Sequence, residues 1–547
     1  MKDCSNGRAS PTVSELTMHP ALLVDDIVHA ILQNVTRATD VIKFASTCSA
    51  ISSPALDILW CTQSNLGPLI MCLPEDTWKV GNDNLIRLSR EPLPTEWERV
   101  RINASRIRKL VSNPIGHRKR PPTPHRDVLQ QLFAQFPPTS LFPNLVALDF
   151  QVVFDLAEFS ANFSLLRQFL SPGLEMLAFC VPLGLPAHEV QQLVDAFPAE
   201  ASGLRQLVIS AKSGDSPCHI DLPLNKLGKL ITLDVIRNVC LTRHSIADIG
   251  RMRSLQVLAL TLHEESGVLE DSRLTGMPVE LSALDRLTLT ADRMQLCTSF
   301  LLRVITPHLS SININYTEYA TPGEVDKLVL SLQTSCQSFA LEEISIERSP
   351  HQDFNKEHSP LPSHLFRPLL KFRRLKTAKF FAMGKYCLDD AFIEDIAVAW
   401  PDIHDLRFAS KETVNSTVTF AAMLSLASRC RSLRLLHLTF DATQTPALPP
   451  GRQSEGAPDR DHHSWPKQTA LRMLHVGHSK VSTTRSPAFV LATVFPNLLN
   501  IASYQTPGVS YDIQWRQVAT PFRYLVSPRE AGPRMANIPS MFGGYLP

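Results

Sequence analysis

A short pattern of apolar residues recurs along most of this 547-residue chain. In each copy an apolar residue is followed by two variable residues, a second apolar residue, one variable residue and a third apolar residue, as in Leu204-Arg205-Gln206-Leu207-Val208-Ile209. The alternating end of each copy predicts a short β-strand whose apolar side chains face a core, while the variable positions face the other side. Clear copies begin at Leu174, Leu204, Leu230, Leu255, Leu284, Leu309, Leu341, Leu433 and Leu471, and looser copies begin at Ile107, Leu145, Leu375, Ile403 and Leu498.

The spacing of the copies indicates a repeat protein. From 174 to 375 they start 25 to 34 residues apart, close to the leucine-rich-repeat period of about 20–29 residues. The segments Ala187–Phe197, Met294–Ile305, Gly323–Leu332 and Asp389–Trp400 have helical spacing and are expected to return the chain. One strand–helix unit cannot bury its apolar face alone, so neighbouring units must stack. The chain is therefore predicted to be an α/β solenoid, a curved leucine-rich-repeat-like horseshoe with short parallel strands on its concave face.

Three short helical segments precede the repeats. Apolar residues recur every four positions from Leu23 to Val35, which places them on one helical face. A second segment with helical spacing runs from Val41 to Ile51. Ser53 followed by Pro54 predicts the start of a third helix that ends near Trp60. Three short helices with this much apolar surface predict a small module that needs a partner or a neighbouring domain to cover it.

These patterns divide the chain into segments. Residues 1–17 are polar and are expected to form a disordered head. Three insertions rich in proline, glycine or charge predict surface loops within the solenoid. The predicted segments are the head 1–17, a three-helix module 18–62, a helical linker or cap 63–100, the solenoid 101–525 with insertions near 113–127, 349–365 and 444–469, and a C-terminal tail 526–547.

Composition narrows the classes of partner. Lys and Arg number 54 and Asp and Glu 52, which gives a formal net charge of +2 and argues against bulk binding to nucleic acid or anionic membrane. No apolar run approaches the roughly 20 residues that span a bilayer. The 11 cysteines are scattered, without the close pairing of a zinc ribbon or redox motif. We therefore expect a protein of the cytoplasm, the nucleus or both, with no nucleic-acid or membrane partner and no cofactor.

The segment from His19 to Trp60 resembles an F-box, the module by which receptor subunits of ubiquitin ligases hold a Skp adaptor. Leu23-Val24-Asp25-Asp26-Ile27 is similar to the Leu-Pro-x-Glu-Ile that opens the family motif, and Ile31-Leu32 is similar to its central pair. Cys48 is similar to the cysteine of its second helix and Leu56-x-x-Leu59-Trp60 to its closing helix. Val24 replaces the usual proline, and Ile51 replaces a tryptophan that many members carry. The module followed by leucine-rich-type repeats resembles the fungal F-box family most.

The resemblance implies that the helices bind a Skp adaptor and, through it, a cullin. A helix-face interface needs an apolar stripe of this kind. Some of these residues must instead pack within the module, and the sequence does not divide the two groups. The alternative is that the helices are an ordinary cap on the solenoid. The implied adaptor-binding residues are Leu22, Leu23, Asp26, Ile27, Ile31, Leu32, Cys48, Leu56, Leu59 and Trp60.

Variable strand positions are the usual binding site of a leucine-rich solenoid. The later copies are rich in basic residues, whereas Glu342, Glu343 and Glu347 form an acidic unit between them. For any one position, a solvated face without a ligand is the alternative. Taken as a patch, the basic positions favour an acidic or phosphorylated target protein. These candidate target-binding residues are Arg407, Arg434, His437, Arg472 and His475.

Motifs of catalysis are incomplete in this chain. His188-Glu189 begins like a zinc-protease helix, but Gln192 stands where the second histidine ligand would be. Gly508-Val509-Ser510-Tyr511-Asp512 lacks the second glycine of a nucleophile elbow. We therefore expect a non-catalytic protein, the substrate-recognition subunit of a Skp–cullin–F-box-type ubiquitin ligase. The alternative is a ligase-independent leucine-rich-repeat scaffold or protein-binding module.

Overall fold

A computed structural model describes most of the chain. The described residues are 24–35, 37–47, 49–112, 121–153, 163–212, 217–264, 279–337, 339–349, 359–410, 416–446, 465–504 and 511–525. The predicted head 1–17 and tail 526–547 lie outside this part, as do 113–120, 350–358 and 447–464 of the three predicted insertions. The chain forms two compact units, one of residues 1–185 and 196–205 and the other of residues 186–195 and 206–547.

The described part of the first unit starts with three helices, α1 (Asp25–Gln33), α2 (Ala38–Ala45) and α3 (Ser49–Cys61). The third helix starts about one turn earlier than the sequence predicts, so that Pro54 lies inside it. The strand Thr62–Gln63 follows α3 directly and pairs in parallel with Lys109–Leu110. Further parallel pairing adds the strands Ala147–Asp149 and Met176–Val181.

The remainder of the first unit surrounds these four strands. A small sheet joins Trp78–Val80, Leu85–Leu88 and Thr123–Pro124. Short helices cover the apolar side, and Phe133, Phe142 and Phe150 pack around Phe169. These helices are Gly67–Ile70, Trp97–Ala104, Arg126–Gln135, Pro138–Leu141 and Phe150–Val153, with 3-10 turns at Glu75–Thr77 and Phe163–Phe169.

Among its described residues, the second unit contains a row of eleven main strands, each paired in parallel with the next strand of the row. Their register is regular: Leu207, Leu233, Leu258 and Leu287 lie side by side on consecutive strands. Leu406 and Leu436 pair in the same way later in the sheet. The strands are Gln206–Ala211, Thr232–Ile236, Val257–Leu262, Arg286–Ala291, Ser311–Tyr316, Glu343–Arg348, Thr377–Phe381, Asp405–Ala409, Leu435–His437, Met473–His475 and Asn500–Ala502.

Helices and short strands connect the main strands of the second unit. The helix Pro322–Ser335 begins with a capping box in which Thr321 and Glu324 satisfy each other's backbone N–H groups. Three two-stranded parallel ribbons join Cys218–Ile220 to Val239–Leu241, Val279–Glu280 to Val304–Ile305, and Pro360–Pro362 to Lys385–Cys387. The helix Ala187–Glu200 belongs to the second unit up to Asp195 and to the first unit from Ala196. The other helices are Arg243–Ile249, Met294–Leu301, Asp390–Ala399, Phe420–Arg429, Arg485–Val494 and Tyr511–Leu525, with 3-10 turns at Leu224–Lys226, Ser363–Leu365 and Arg367–Lys371.

The predicted repeat pattern is confirmed at the level of an α/β repeat with parallel strands. A strand begins two residues after each of the fourteen predicted starts, from Ile107 to Leu498. Leu204, Leu207 and Ile209 are buried, as the pattern requires. Burial alternates along Arg286–Ala291, so the variable positions lie on the opposite side of the sheet, here called the open face. Within the described residues, no helix is both long and apolar enough to cross a membrane.

Candidate docking surfaces

An exposed apolar stripe follows one side of α1. Val24, Ile27 and Ile31 are 46%, 42% and 43% exposed. Their spacing of three and four residues places them on one helical face. The neighbouring face carries Val28 and Leu32, which are almost fully buried. We call Val24, Ile27 and Ile31 the docking face.

A separate small core holds the three helices together. Val28 and Leu32 of α1, Val41 of α2, and Ile51 and Ala55 of α3 form one buried cluster. The partly buried side chains of Val35, Ala45, Ile58 and Leu59 pack against it. The three docking-face residues therefore lie outside this core.

The implied adaptor-binding residues divide into groups that the sequence does not separate. Ile27 and Ile31 are exposed, and Asp26 beside them is exposed as well. Leu32 is buried in the helical core, and Leu59 is half-buried against it. Leu56 and Trp60 are half-buried on α3, while Leu22, Leu23 and Cys48 lie outside the described residues. Val24, at the position where the family usually has proline, is an addition to the predicted set.

Polar contacts fasten α3 to the strand-forming part of the first unit. The Arg106 guanidinium binds the Asp57 carboxylate and donates to the Ser53 carbonyl oxygen at 3.1 Å. The His29 imidazole lies 4.0 Å from the same Asp57 carboxylate. Beside these groups is an open cavity of about 500 Å³, lined in part by Gln33 and Asn144. These contacts place the helical module in a defined orientation within its own unit.

The five candidate target-binding residues lie on three neighbouring strands or just before them. Arg407, His437 and His475 occupy the same register position on consecutive strands. Arg434 and Arg472 precede their strands and are exposed, and the Arg472 amide donates to the Arg434 carbonyl oxygen at 2.9 Å. The structure therefore brings these residues together, as the repeat pattern indicates.

Three of these five side chains are buried, which the sequence pattern does not show. The Arg407 guanidinium is held by the Asp405 carboxylate at 2.6 and 2.7 Å. The His437 and His475 rings stack at 3.9 Å between centroids and are 2% and 7% exposed. The Tyr504 ring lies 4.5 Å from His475 and 5.5 Å from His437. The surface that a target can reach here is therefore mainly Arg434 and Arg472.

Burial keeps the stacked histidines neutral. Desolvation, together with the nearby His478 and Arg407, lowers the pKa of His475 to about 4. Desolvation, together with the nearby His475, Arg407 and His478, lowers the pKa of His437 well below its usual value. The His475 Nδ1 accepts a hydrogen bond from the Gly477 amide at 3.1 Å. Neither His437 ring nitrogen has a hydrogen-bond partner.

Within the part of the chain that the structure describes, no three His, Cys, Asp or Glu side chains are grouped so that they could hold a metal ion. The segment at His188 lies in the helix Ala187–Glu200, where Gln191 donates to the Asp221 carbonyl oxygen at 2.7 Å. Gln191, which belongs to the protease-like motif, therefore helps to hold this helix against the segment that contains Asp221.

Comparisons with known proteins do not identify the family of this chain. No protein-family model matches the chain, and no curated protein matches it. Among solved structures, a chain in the crystal structure of the yeast Rad7–Elc1 complex is similar at 12% sequence identity and a TM-score of 0.26. The match covers 66% of this chain and 87% of the other. A likeness at this level carries no argument about function.

Proposed function

We propose that this protein is the substrate-recognition subunit of a Skp–cullin–F-box-type ubiquitin ligase. In this role α1 to α3 bind a Skp adaptor, the adaptor binds a cullin, and the repeat units hold a target protein. The protein itself catalyses nothing. It raises the effective concentration of target lysines near the charged ubiquitin-conjugating enzyme.

The observation that carries the proposal is the docking face. Ile27 and Ile31 are more than two-fifths exposed, although the same helix buries Val28 and Leu32 in the core of the module. Exposed apolar groups of this kind contribute most to the free energy of binding when a partner protein covers them. They lie at the positions where the chain resembles the F-box motif. The occupant that this resemblance indicates is a Skp adaptor.

The arrangement of the first unit supports the tethering role. The α3 helix continues directly into the strand Thr62–Gln63. Arg106, which lies shortly before the strand Lys109–Leu110, binds the Asp57 carboxylate of α3. An adaptor bound to α1 would therefore be linked to the parallel strands of this unit by a short, ordered path.

Co-expression with a tagged Skp adaptor tests the proposal. The wild-type chain should co-elute with the adaptor and, when it is added, with a cullin. The double variant Ile27→Glu/Ile31→Glu should not, because it places charges in an apolar interface. The control Phe489→Glu removes a Phe that is 54% exposed on the helix Arg485–Val494 and should co-elute normally.

Two outcomes would count against this role. If the wild-type chain failed to co-elute with the adaptor, the helices would be a cap on a ligase-independent scaffold. If the double variant bound as well as the wild type, the docking face would not be the adaptor site. Circular dichroism of both variants should match the wild type, since neither substitution touches the core.

A further inference from the structure

A cluster of basic residues lies where two neighbouring strands of the second unit begin. Arg434 and Arg472 directly precede two strands that pair in parallel. Arg431 and Lys467 lie in the segments that lead into these strands, and the Arg431 guanidinium donates to the Lys467 carbonyl oxygen at 3.4 Å. All four residues are exposed. We call Arg431, Arg434, Lys467 and Arg472 the basic edge.

Within the described residues, no ion pair neutralises the basic edge. The segments that flank it, 429–434, 465–472 and 496–500, contain no Asp or Glu. The Arg472 guanidinium donates to the Asn497 carbonyl oxygen at 3.4 Å. Because this acceptor is neutral, the positive charge of Arg472 is left uncompensated.

Two nearby stretches of chain carry acids, but too few to balance these charges. On the preceding turn the exposed Asp402 makes no ion pair with any residue that the structure describes. The segment 447–464, which lies outside the described residues, contains three Asp or Glu and two Arg, so its formal net charge is −1. Together these stretches contribute −2 against four cations, and a net positive charge remains.

Other cations near strand starts of the second unit are paired. Lys376 also directly precedes its strand, and its ammonium lies 2.7 Å from the Glu342 carboxylate. The Arg374 guanidinium, in the segment that leads into the same strand, lies 3.4 Å from that carboxylate. On the open face, Arg407 is held by Asp405. The basic edge differs from these groups because its charge is available to a partner.

We infer that the basic edge binds an acidic segment of a target protein, one that carries several Asp or Glu side chains. A carboxylate can accept paired hydrogen bonds from a guanidinium, and such a pair is stronger than a neutral hydrogen bond. Since the four charges are spread over two strand starts and the segments before them, several carboxylates on one segment match them better than a single anion does. The word target rests on the proposed function, but the binding itself does not require the adaptor.

A protein segment fits this surface better than a nucleic acid. The whole chain has a net charge of only +2, so it adds little long-range attraction for a polyanion. The repulsion among the four cations is local, and a short acidic segment relieves it.

Fluorescence anisotropy of the full chain with three labelled probes of equal charge number tests the inference. One twelve-residue peptide alternates Glu with Ser, a second alternates Lys with Ser, and a seven-nucleotide DNA strand carries six phosphates. The glutamate peptide should bind, and more weakly as salt is raised. The lysine peptide should not bind, and the DNA strand should bind more weakly than the glutamate peptide. Arg434→Ser/Arg472→Ser should weaken glutamate-peptide binding about tenfold, because two exposed ion pairs are lost.

An earlier repeat offers a matched control. The segment 251–255 has the same arginine spacing as 429–433 and also leads into a strand. Arg251 and Arg253 are exposed, so Arg251→Ser/Arg253→Ser removes the same charge outside the basic edge and should bind like the wild type. Thermal unfolding of both double variants should stay close to that of the wild type, since all four arginines are exposed.

The inference is overturned if the glutamate peptide does not bind, if the two double variants bind it equally, or if the lysine peptide or the DNA strand binds as tightly. Adaptor co-elution should be unchanged in both variants, because the docking face lies in the first unit. A wild-type chain that co-elutes with the adaptor but does not bind the glutamate peptide would refute only the role of the basic edge. A chain that binds the peptide but not the adaptor would refute only the proposed function.

Discussion

The stacked histidines at the C-terminal end of the repeats predict a loss of stability in acid. His475 is 7% exposed, and its pKa is lowered from 6.5 to about 4 in the folded chain. At about 1.4 kcal/mol for each pH unit, this difference corresponds to about 3 kcal/mol. Because the pKa of His475 is lower in the folded chain than in the unfolded chain, the unfolded chain binds more protons between about pH 4 and pH 6.5. Stability is therefore full above about pH 6.5 and is lost as the pH falls toward 4.

The variant His475→Phe isolates this effect. Phenylalanine keeps an aromatic ring against His437 and Tyr504 but cannot take up a proton. It loses the hydrogen bond from the Gly477 amide, which gives a constant cost at every pH. Carboxylates also titrate near pH 4, so the informative quantity is the difference between variant and wild type rather than either curve alone.

Urea unfolding followed by circular dichroism at a series of pH values from 7 to 4 measures this difference. Relative to the wild type, His475→Phe should gain about 3 kcal/mol between pH 7 and pH 4. The control His308→Phe changes an exposed histidine and should run parallel to the wild type. The idea that burial holds the stacked rings neutral would be refuted by either of two results. One is a stability difference between His475→Phe and the wild type that does not change with pH. The other is an equal gain in stability for His308→Phe.

Four further substitutions test the packing and the helix cap described above. Leu32→Ala should lower the free energy of unfolding of the helical module by roughly 2 to 5 kcal/mol in a urea titration, because Leu32 is fully buried. Ile31→Ala should change it by less than about 0.5 kcal/mol, because Ile31 is exposed. Gly477→Ala should cost about 2 kcal/mol in thermal unfolding, because Gly477 has a φ of 58° and a Cβ there would overlap the Thr439 hydroxyl. Thr321→Ala removes the capping box and should cost about 1 kcal/mol by the same measurement; no change would contradict the cap's role.

The strands were predictable because their signal is local and repeated. Each copy supplies a core leucine, and consecutive copies then align in register, as Leu207 and Leu233 do. The strand Thr62–Gln63 was not predictable, because two polar residues carry no apolar alternation. The start of α3 was misplaced because Pro54 is typical of a first helical turn, yet here it lies inside the helix.

The candidate sites were less predictable than the fold. On α1 the buried Val28 and Leu32 and the exposed Ile27 and Ile31 follow the same four-residue spacing, so periodicity alone does not show which face packs inward. The burial of His437 depends in part on Tyr504, a residue far along the chain with no local pattern that relates the two.

Calorimetric titration of a purified Skp adaptor into the purified full chain tests the central claim most directly. The account predicts one-to-one binding by the wild type, and affinity reduced by at least about 30-fold in Ile27→Glu/Ile31→Glu, since two interface anchors are replaced by charges. Phe489→Glu should bind like the wild type. Absence of adaptor binding by the wild-type chain, or equal affinity of the double variant, would contradict the claim that the exposed face of α1 is an adaptor site.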